Sequence, residues 1–252
     1  MPMPAPSLSP VSQASVAGRL RDVRSRVEDA AVRAGRRSQD VTLVAVSKTV
    51  DLPAILAARE AGQSVFGESK AQELQRKISA LPPDPLHPDS RWHFVGRLQR
   101  NKVPGLVGVA ALIHAVDRED LARSISAVAQ RRGLVQPILI QVNVGGDPAK
   151  AGCRADDTAA LLARVGALPG LACRGLMTIP PLGADPRPVF ASLCALRDNL
   201  RAEAPELEHL SMGMSGDFEV AIEEGATLVR VGEAIFGPRP PAATPGSAGA
   251  TG

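Results

Sequence analysis

Val41-Thr-Leu-Val-Ala-Val-Ser-Lys48 is the stretch of sequence from which the fold can be worked out. Apolar and mainly β-branched side chains fill it, and such a run is typical of a strand buried on both faces, as in a parallel sheet. Lys48 stands at the end of this strand. Desolvation there would favour the neutral amine, which can attack an aldehyde. Lys48 is therefore a candidate for covalent chemistry, the alternative being a solvated residue that ends the strand.

The composition suits one large domain and argues against two classes of partner. With 252 residues, of which 44% are hydrophobic, the chain can bury a substantial core, and its length is typical of an α/β barrel. No apolar stretch is long enough to span a membrane. The net charge is only +3, basic and acidic residues are interspersed, and aromatic residues make up 2%. We therefore expect no membrane and no nucleic acid as a partner.

The cysteines and histidines give no sign of a disulfide framework or a metal site. Cys153, Cys173 and Cys194 are odd in number and form no C-x-x-C motif. The four histidines lack metal-ligand spacing, so we expect structural roles for them. This pattern predicts a reducing, cytoplasmic location and no metal.

The two ends of the chain differ in composition from the rest. Residues 1–13 are rich in Pro and Ser and carry no charged side chain, so we expect a disordered lead rather than a secretory signal. Residues 240–252 contain only Pro, Ala, Thr, Gly and Ser, which predicts a disordered tail. The folded domain is expected over residues 14–239.

Between these ends, strand-like and helix-like segments alternate. An N-terminal helix is predicted over residues 15–34. Eight strands are predicted at 41–47, 65–67, 92–95, 112–115, 137–144, 174–178, 209–212 and 227–231. Helices are predicted between most of them, at 52–61, 68–79, 118–132, 155–167, 187–203 and 217–224. This alternation predicts an α/β protein, a single (β/α)8 TIM barrel with an extra N-terminal helix. An open doubly wound sheet is the alternative, but the first turn lacks the Gly-rich motif that such sheets often carry.

In a barrel of this kind the active site forms at the carboxyl ends of the strands. Several polar residues besides Lys48 follow predicted strands and should line this mouth, although some could instead cap helices. They are Glu68, Ser69, Arg97, Asp117, Asn143, Thr178, Ser211, Ser215 and Arg230.

Two loops rich in small residues follow the seventh and eighth predicted strands. They are Ser211-Met-Gly-Met-Ser-Gly-Asp217 and Arg230-Val-Gly-Glu-Ala-Ile-Phe-Gly237. Phosphate sites in these barrels commonly use loops at these positions, where backbone N–H groups can approach an anion. An aldehyde that also carries a phosphate would engage both Lys48 and these loops. Pyridoxal 5′-phosphate (PLP) is such a molecule.

The motifs around these residues resemble the YggS/PROSC family of pyridoxal phosphate homeostasis proteins over about residues 15–239. The segments that carry the resemblance are Val44-Ala-Val-Ser-Lys-Thr49, Phe66-Gly-Glu68, Trp92-His-Phe-Val-Gly96, Leu98-Gln, Asn101-Lys, Gln141-Val-Asn143, Gly175-Leu-Met-Thr178 and Leu210-Ser-Met-Gly-Met-Ser-Gly-Asp-Phe-Glu219.

The resemblance implies a fold-type III barrel, related to the N-terminal domain of alanine racemases, and roles for particular residues. Lys48 would hold PLP covalently as a Schiff base. Arg230 would face the pyridine nitrogen, and Ser215 with the backbone of Gly232 and Glu233 would hold the phosphate. Two further serines, Ser69 and Ser211, are predicted to bind the cofactor.

Three residues depart from the pattern of the family. Ser69 stands where the family usually has Asn, so its contact near the ring would be shorter in reach or mediated by water. Arg97 stands where His or a similar residue is common. Glu233 replaces a small hydroxyl residue, and because a carboxylate repels a phosphate, only its backbone is carried over.

The resemblance to racemases does not extend to their second catalytic base. That base is a tyrosine, supplied by a second domain of the partner subunit, whereas this sequence has no tyrosine and no second domain is expected. We therefore expect a non-catalytic carrier or buffer of PLP in vitamin B6 homeostasis, a monomer, with apo PLP-dependent enzymes as partners. Three points stay open: a slow racemase or lyase that uses a Cys or His as its other base, a cofactor-free aldolase with Lys48 as its amine, and Lys150 as a second PLP contact.

Overall fold

The structure is a computed structural model that describes residues 10–81 and 91–238. Its strands are β1 (Thr42–Val46), β2 (Val65–Glu68), β3 (Arg91–Phe94), β4 (Leu112–Val116), β5 (Gln136–Asn143), β6 (Cys153–Arg154), β7 (Leu171–Met177), β8 (His209–Ser211) and β9 (Leu228–Val231). Its α-helices are α1 (Pro10–Arg33), α2 (Leu52–Glu60), α3 (Ala71–Ala80), α4 (Glu119–Arg131), α5 (Thr158–Gly166), α6 (Arg187–Leu200), α7 (Phe218–Glu223) and α8 (Glu233–Phe236). Short 3-10 turns occupy Ser38–Asp40 and Arg100–Gly105.

Eight parallel strands close into a barrel, which confirms the predicted fold. Their order is β4-β3-β2-β1-β9-β8-β7-β5, and the pairing of β4 with β5 completes the circle. The very short β6 adds to β5 outside this circle through the pairing of Val142 with Cys153. All eight predicted strands are present within a few residues of their expected bounds.

Helix α1 begins earlier than predicted, at Pro10 instead of Ser15, so residues 10–13 of the predicted disordered lead are helical. It packs against α2, α7 and α8, because Leu20, Val23 and Val27 lie on one face at helical spacing and are buried. Residues 1–9 and the predicted tail at 240–252 lie outside the described residues. Within residues 10–81 and 91–238, no helix is both long and apolar enough to cross a membrane.

The core has two layers, as expected for a filled barrel. The larger layer packs the outer faces of the strands against the helices. The smaller layer fills the barrel with alternate side chains from neighbouring strands, namely Val44, Val65, Leu112, Ala115, Leu139, Met177 and Leu228. Four polar side chains on alternate positions of β3, β4, β8 and β9 are also buried: His93, His114, Ser211 and Arg230. The barrel interior is therefore apolar only in part.

Candidate cofactor site

The barrel order brings most of the predicted site residues onto four consecutive strands. Lys48 follows β1, which lies between β2 and β9, and β8 is the next neighbour of β9. Ser69 therefore lies on one side of Lys48, and the small-residue loops that follow β9 and β8 lie on the other. Arg230 belongs to β9, where it pairs in register with Val44 of β1. One sector of the mouth thus collects an amine, a guanidinium and two loops suited to an anion.

Lys48 itself is exposed, and this corrects the expectation that the strand end desolvates it. Strand β1 ends at Val46, so the buried part of the segment stops at Ser47 and Lys48 lies on the loop beyond it. The next residue, Thr49, has a φ of 64°, a left-handed conformation that β-branched residues rarely adopt. The amine is accessible, and the backbone that carries it is strained.

Three hydrogen bonds hold this strained turn. The Thr49 N–H donates to Glu73 Oε1 at 2.8 Å, the Thr49 hydroxyl donates to the carbonyl of Lys48 at 2.6 Å, and the Val50 N–H donates to the carbonyl of Ser47 at 2.9 Å. Strained residues persist where the surroundings over-determine them, and they cluster at functional sites. The contact with Glu73 ties the Lys48 turn to helix α3.

A fully buried lysine, Lys77, lies beneath this turn. Its Nζ donates to Glu68 Oε1 at 2.5 Å, to the carbonyl of Ser47 at 2.6 Å and to Glu73 Oε1 at 2.8 Å. The Ser47 hydroxyl donates to the same Glu68 oxygen at 2.8 Å. All three ammonium hydrogens are therefore used, as a buried cation requires. The network joins the end of β1, the end of β2 and helix α3.

Glu68 was expected to line the mouth, but the structure buries it completely against Lys77. Burial raises the pKa of Glu68, against the opposing effects of the hydrogen bonds from Lys77 and Ser47. Sequence reasoning missed Lys77, although a signal was present. Lys77 lies three residues after Leu74 on the buried face of α3, where a lysine needs a partner.

The two small-residue loops meet one another. Ser215 lies in the loop after β8, and its hydroxyl accepts a hydrogen bond of 3.3 Å from the N–H of Ala234, in the first turn of α8. A Cβ on Gly232 would lie 2.8 Å from the carbonyl oxygen of Val46, so only glycine allows this approach to the end of β1. The first N–H groups of a helix lack intrahelical acceptors and can bind an anion. Ser215 and Gly232 are thus placed together beside the Lys48 turn.

Arg230 is buried beneath these loops and holds two of its neighbours. It donates through Nη1 to the Ser211 hydroxyl at 2.7 Å and through Nη2 to the carbonyl of Thr178 at 3.1 Å. Burial lowers the pKa of Arg230 to about 10, while the charge of Asp217 acts in the opposite direction. The guanidinium therefore stays protonated at neutral pH. It has five N–H donors, so it can still serve a further acceptor.

Ser211 lies deeper than a mouth residue, with no exposed surface. Its hydroxyl is 2.8 Å from His114 Nδ1, and His114 Nε2 is 3.0 Å from His93 Nδ1. Sequence reasoning did not connect these histidines with the site, because they lie on β3 and β4, far from Arg230 along the chain. Only the closure of the barrel brings them together.

The remaining predicted residues take up different positions around the mouth. Ser69 is half-buried, and its N–H donates to Glu68 Oε2 at 3.3 Å. Glu233 is exposed as the first residue of α8, and Arg97 is exposed after β3. Asn143 donates to the carbonyls of Asp147 at 2.7 Å and Lys150 at 3.4 Å, so it holds the loop that carries Lys150.

The cysteines of the described residues are free, and the same residues contain no cluster of three or more His, Cys, Asp or Glu that could hold a metal. Burial raises the pKa of the Cys173 thiol to about 11, and burial also raises the pKa of Cys153. Neither thiol has the low pKa that marks a reactive cysteine.

Comparison with known proteins agrees with the barrel fold. The family model described as "Alanine racemase, N-terminal domain" matches residues 20–240. A curated relative from Aquifex aeolicus, named pyridoxal phosphate homeostasis protein, is 45% identical over 88% of this chain and 97% of the relative. The human protein of the same name is 38% identical over 87% of this chain and 85% of the relative. The structure of PipY from Synechococcus elongatus PCC7942 with PLP bound has a TM-score of 0.75 and 35% identity, covering 88% of this chain and all of PipY.

The fold and the lysine-centred mouth thus define a barrel of the alanine racemase N-terminal class. Within that class, the identities and coverage show that the chain belongs to the family of pyridoxal phosphate homeostasis proteins.

Proposed function

We propose that this chain binds PLP as a Schiff base on Lys48 and acts in cytoplasmic PLP homeostasis, as a monomeric carrier or buffer without catalysis. The observation that carries the proposal is the gathering of an accessible lysine, a buried guanidinium and two anion-suited loops on three neighbouring strands, β1, β9 and β8. A family relative solved with PLP bound supports the choice of molecule.

The residues present fit both the aldehyde and the phosphate of PLP. Lys48 offers an exposed amine for the aldehyde. The N-terminus of α8 and the hydroxyl of Ser215 offer N–H and O–H donors for the phosphate, and Gly232 leaves the space for it. Arg230 offers its remaining donors to the ring nitrogen. When bound, PLP supplies a carbonyl that reacts reversibly with amines.

The surrounding residues would determine how the Lys48 amine is presented and how the PLP ring is held. The Lys77 network and Glu73 fix the turn that carries Lys48, so the amine is presented in one place. Arg230 keeps its charge, so it would donate a hydrogen bond to an unprotonated ring nitrogen and could accept none from a protonated one. An unprotonated ring nitrogen withdraws electrons weakly, which suits storage better than carbanion chemistry. Ser69 would contact the cofactor at the edge of the site. Ser211 would act on the cofactor indirectly, through its hydrogen bond with Arg230.

The alternative is a racemase or lyase of low activity, which would need a base besides Lys48. The sequence contains no tyrosine. The Cys173 thiol has a pKa of about 11, and His114 lies buried within the barrel below Arg230. The Cys173 thiol thus stays protonated at neutral pH and His114 does not reach the mouth, so neither is placed to act as a general base there, and this supports the carrier over the enzyme.

Two assays on the PLP-loaded protein test the proposal. We expect the loaded protein to restore the activity of an apo PLP-dependent enzyme, and we expect D- and L-amino acids to react no faster than with free PLP. Faster turnover that Lys48→Ala abolishes would contradict the carrier function and favour the enzyme. Protein that takes up no added PLP and stays colourless would overturn PLP binding and leave the cofactor-free aldolase.

A further inference from the structure

A line of hydrogen bonds runs through the barrel from Arg230 to the opposite end of the molecule. Arg230 Nη1 is 2.7 Å from Ser211 Oγ, Ser211 Oγ is 2.8 Å from His114 Nδ1, and His114 Nε2 is 3.0 Å from His93 Nδ1. These four side chains come from β9, β8, β4 and β3, and none is more than 6% exposed. We call them the axial chain.

The far end of the axial chain opens on a cavity at the amino-terminal ends of the strands. The cavity has a volume of about 450 Å³. His93 lines it together with Thr42, Ser64, Arg91, Arg174 and His209. The axial chain therefore connects the candidate cofactor site at one end of the barrel with a polar cavity at the other.

The chemistry of each link favours one direction for the hydrogens. The guanidinium can only donate, so Ser211 accepts from Arg230. Within the described residues, the other hydrogen-bond partner of the Ser211 hydroxyl is His114 Nδ1, so the hydroxyl proton goes there. His114 then carries its proton on Nε2 and donates to His93 Nδ1. Every link presents its acceptor toward the guanidinium, and such aligned bonds strengthen one another.

The electrostatic surroundings of the two histidines agree with neutral rings. Burial lowers the pKa of His93 to about 3, and Arg91 and His209 act in the same direction. Burial also lowers the pKa of His114, with further contributions from His93, Arg230 and His209. A second cation between Arg230 and His93 would be both buried and repelled.

We propose that His114 and His93 are positioning residues for Arg230: acting through the hydroxyl of Ser211, they fix the guanidinium in the orientation in which it meets the cofactor ring. This inference rests on the proposed function, because it assigns Arg230 a task at that ring. Within it, Ser211 serves the cofactor indirectly. Without His114 the serine hydroxyl can turn away, and the guanidinium loses a fixed acceptor.

The first test uses the protein without PLP. Nitrogen-15 NMR of histidine-labelled protein reports the tautomer and charge of each ring, and single His→Asn variants assign the signals. We expect His114 to be the neutral Nε2–H tautomer and to stay neutral at pH 5. The opposite tautomer, or a charged ring at pH 7, would overturn the proposal whether or not the protein binds PLP.

The second test compares PLP binding in three variants. His114→Leu removes both hydrogen bonds of the ring, and we expect it to weaken PLP binding about tenfold, since the Ser211 hydroxyl that accepts from the Arg230 guanidinium is then no longer held in place. It should also shift the midpoint of the pH titration of the visible PLP band. His114→Asn keeps an amide near Ser211, so the change should be smaller. The matched control is His209→Asn, a half-buried histidine outside the axial chain, which we expect to behave as the parent protein.

The outcomes separate this inference from the proposed function. If the parent protein binds PLP and folded His114→Leu shows the same affinity and the same pH midpoint, the positioning role is wrong and the proposed function stands. If the parent protein binds no PLP, the proposed function fails. A variant that loses stability but keeps the PLP affinity and titration would show a purely structural role and would also overturn the inference.

Discussion

Thr49 has a backbone conformation that β-branched residues avoid, and hydrogen bonds from the surrounding residues hold it there. The sequence identified Lys48 from its place after an apolar run, and this place is correct. It could not show that Lys48 is exposed, because exposure depends on where β1 ends relative to the loops around it. The support from Lys77 was hidden only in part, since Glu73 lies one turn before it on α3, whereas Glu68 reaches the buried ammonium only through the fold.

At this scale we predict that Lys77→Met destabilises the protein by about 3–5 kcal/mol. The change leaves Glu68 buried without its cation and removes the hydrogen bond from Lys77 to Glu73, which holds the Thr49 N–H, so the Lys48 turn loosens as well. Urea unfolding measures the loss. Because the unpaired charge is the cause, the double variant Glu68→Gln with Lys77→Met should regain part of the stability.

Lys70→Met is the matched control for Lys77→Met. Lys70 is exposed just before α3, and its replacement should change the free energy of unfolding by less than about 0.5 kcal/mol. Equal effects at the two lysines would contradict the structural role of the buried network.

Among the elements, the eight barrel strands were predictable, but the exact ends of the strands and the two-residue β6 were not. Strand β7 begins at Leu171 instead of residue 174, because Leu171 and Ala172 pair with Gln136 and Pro137 of β5. That pairing is a tertiary contact that the local pattern does not reveal. The short β6 was missed for the same reason, since its two residues are ordered only by β5.

The loop after β8 gives a prediction for a single glycine. Gly213 has a φ of 89°, and a Cβ there would lie 2.6 Å from the Cβ of Ala221 and 2.9 Å from Phe218 Cα. Gly213→Ala should therefore displace the loop that carries Ser215 and weaken PLP binding at least tenfold, as measured by the visible PLP band.

Gly216→Ala in the same loop is the control, since a Cβ at Gly216 meets nothing within 4 Å. We expect it to leave PLP binding unchanged. If both alanine variants bound PLP like the parent protein, the close packing of this loop would not matter for the cofactor.

The histidines of the barrel interior predict how stability depends on pH. Because the folded-state pKa of His93 is about 3, against 6.5 for the ordinary group, the unfolded chain binds a proton in this window that the folded chain does not. Stability should therefore fall as the pH falls below about 6.5, by about 1.4 kcal/mol per pH unit for each such group. Urea unfolding between pH 7 and pH 5 measures the slope, and His93→Gln should reduce it. An unchanged slope would show that His93 does not titrate in this way.

For the whole molecule, the barrel could be predicted because eight apolar segments alternate with helices in one domain. The gathering of Lys48, Arg230 and the two small-residue loops in one sector of the mouth was also predictable, since parallel strands place their carboxyl ends together. The axial chain was not predictable, because the ring order that brings β3 and β4 opposite β8 and β9 appears only on closure. The family indicated by the sequence motifs was also correct, since relatives 37–45% identical over most of the chain belong to it.

The central claim is that Lys48 is the residue to which PLP attaches. Reduction of the PLP-treated protein with borohydride, followed by peptide mass spectrometry, tests it most directly. We predict one pyridoxyl-phosphate adduct, on the peptide that contains Lys48, and its loss in Lys48→Ala but not in the control Lys70→Ala. An adduct mainly on another lysine, or one that persists unchanged in Lys48→Ala, would contradict the account.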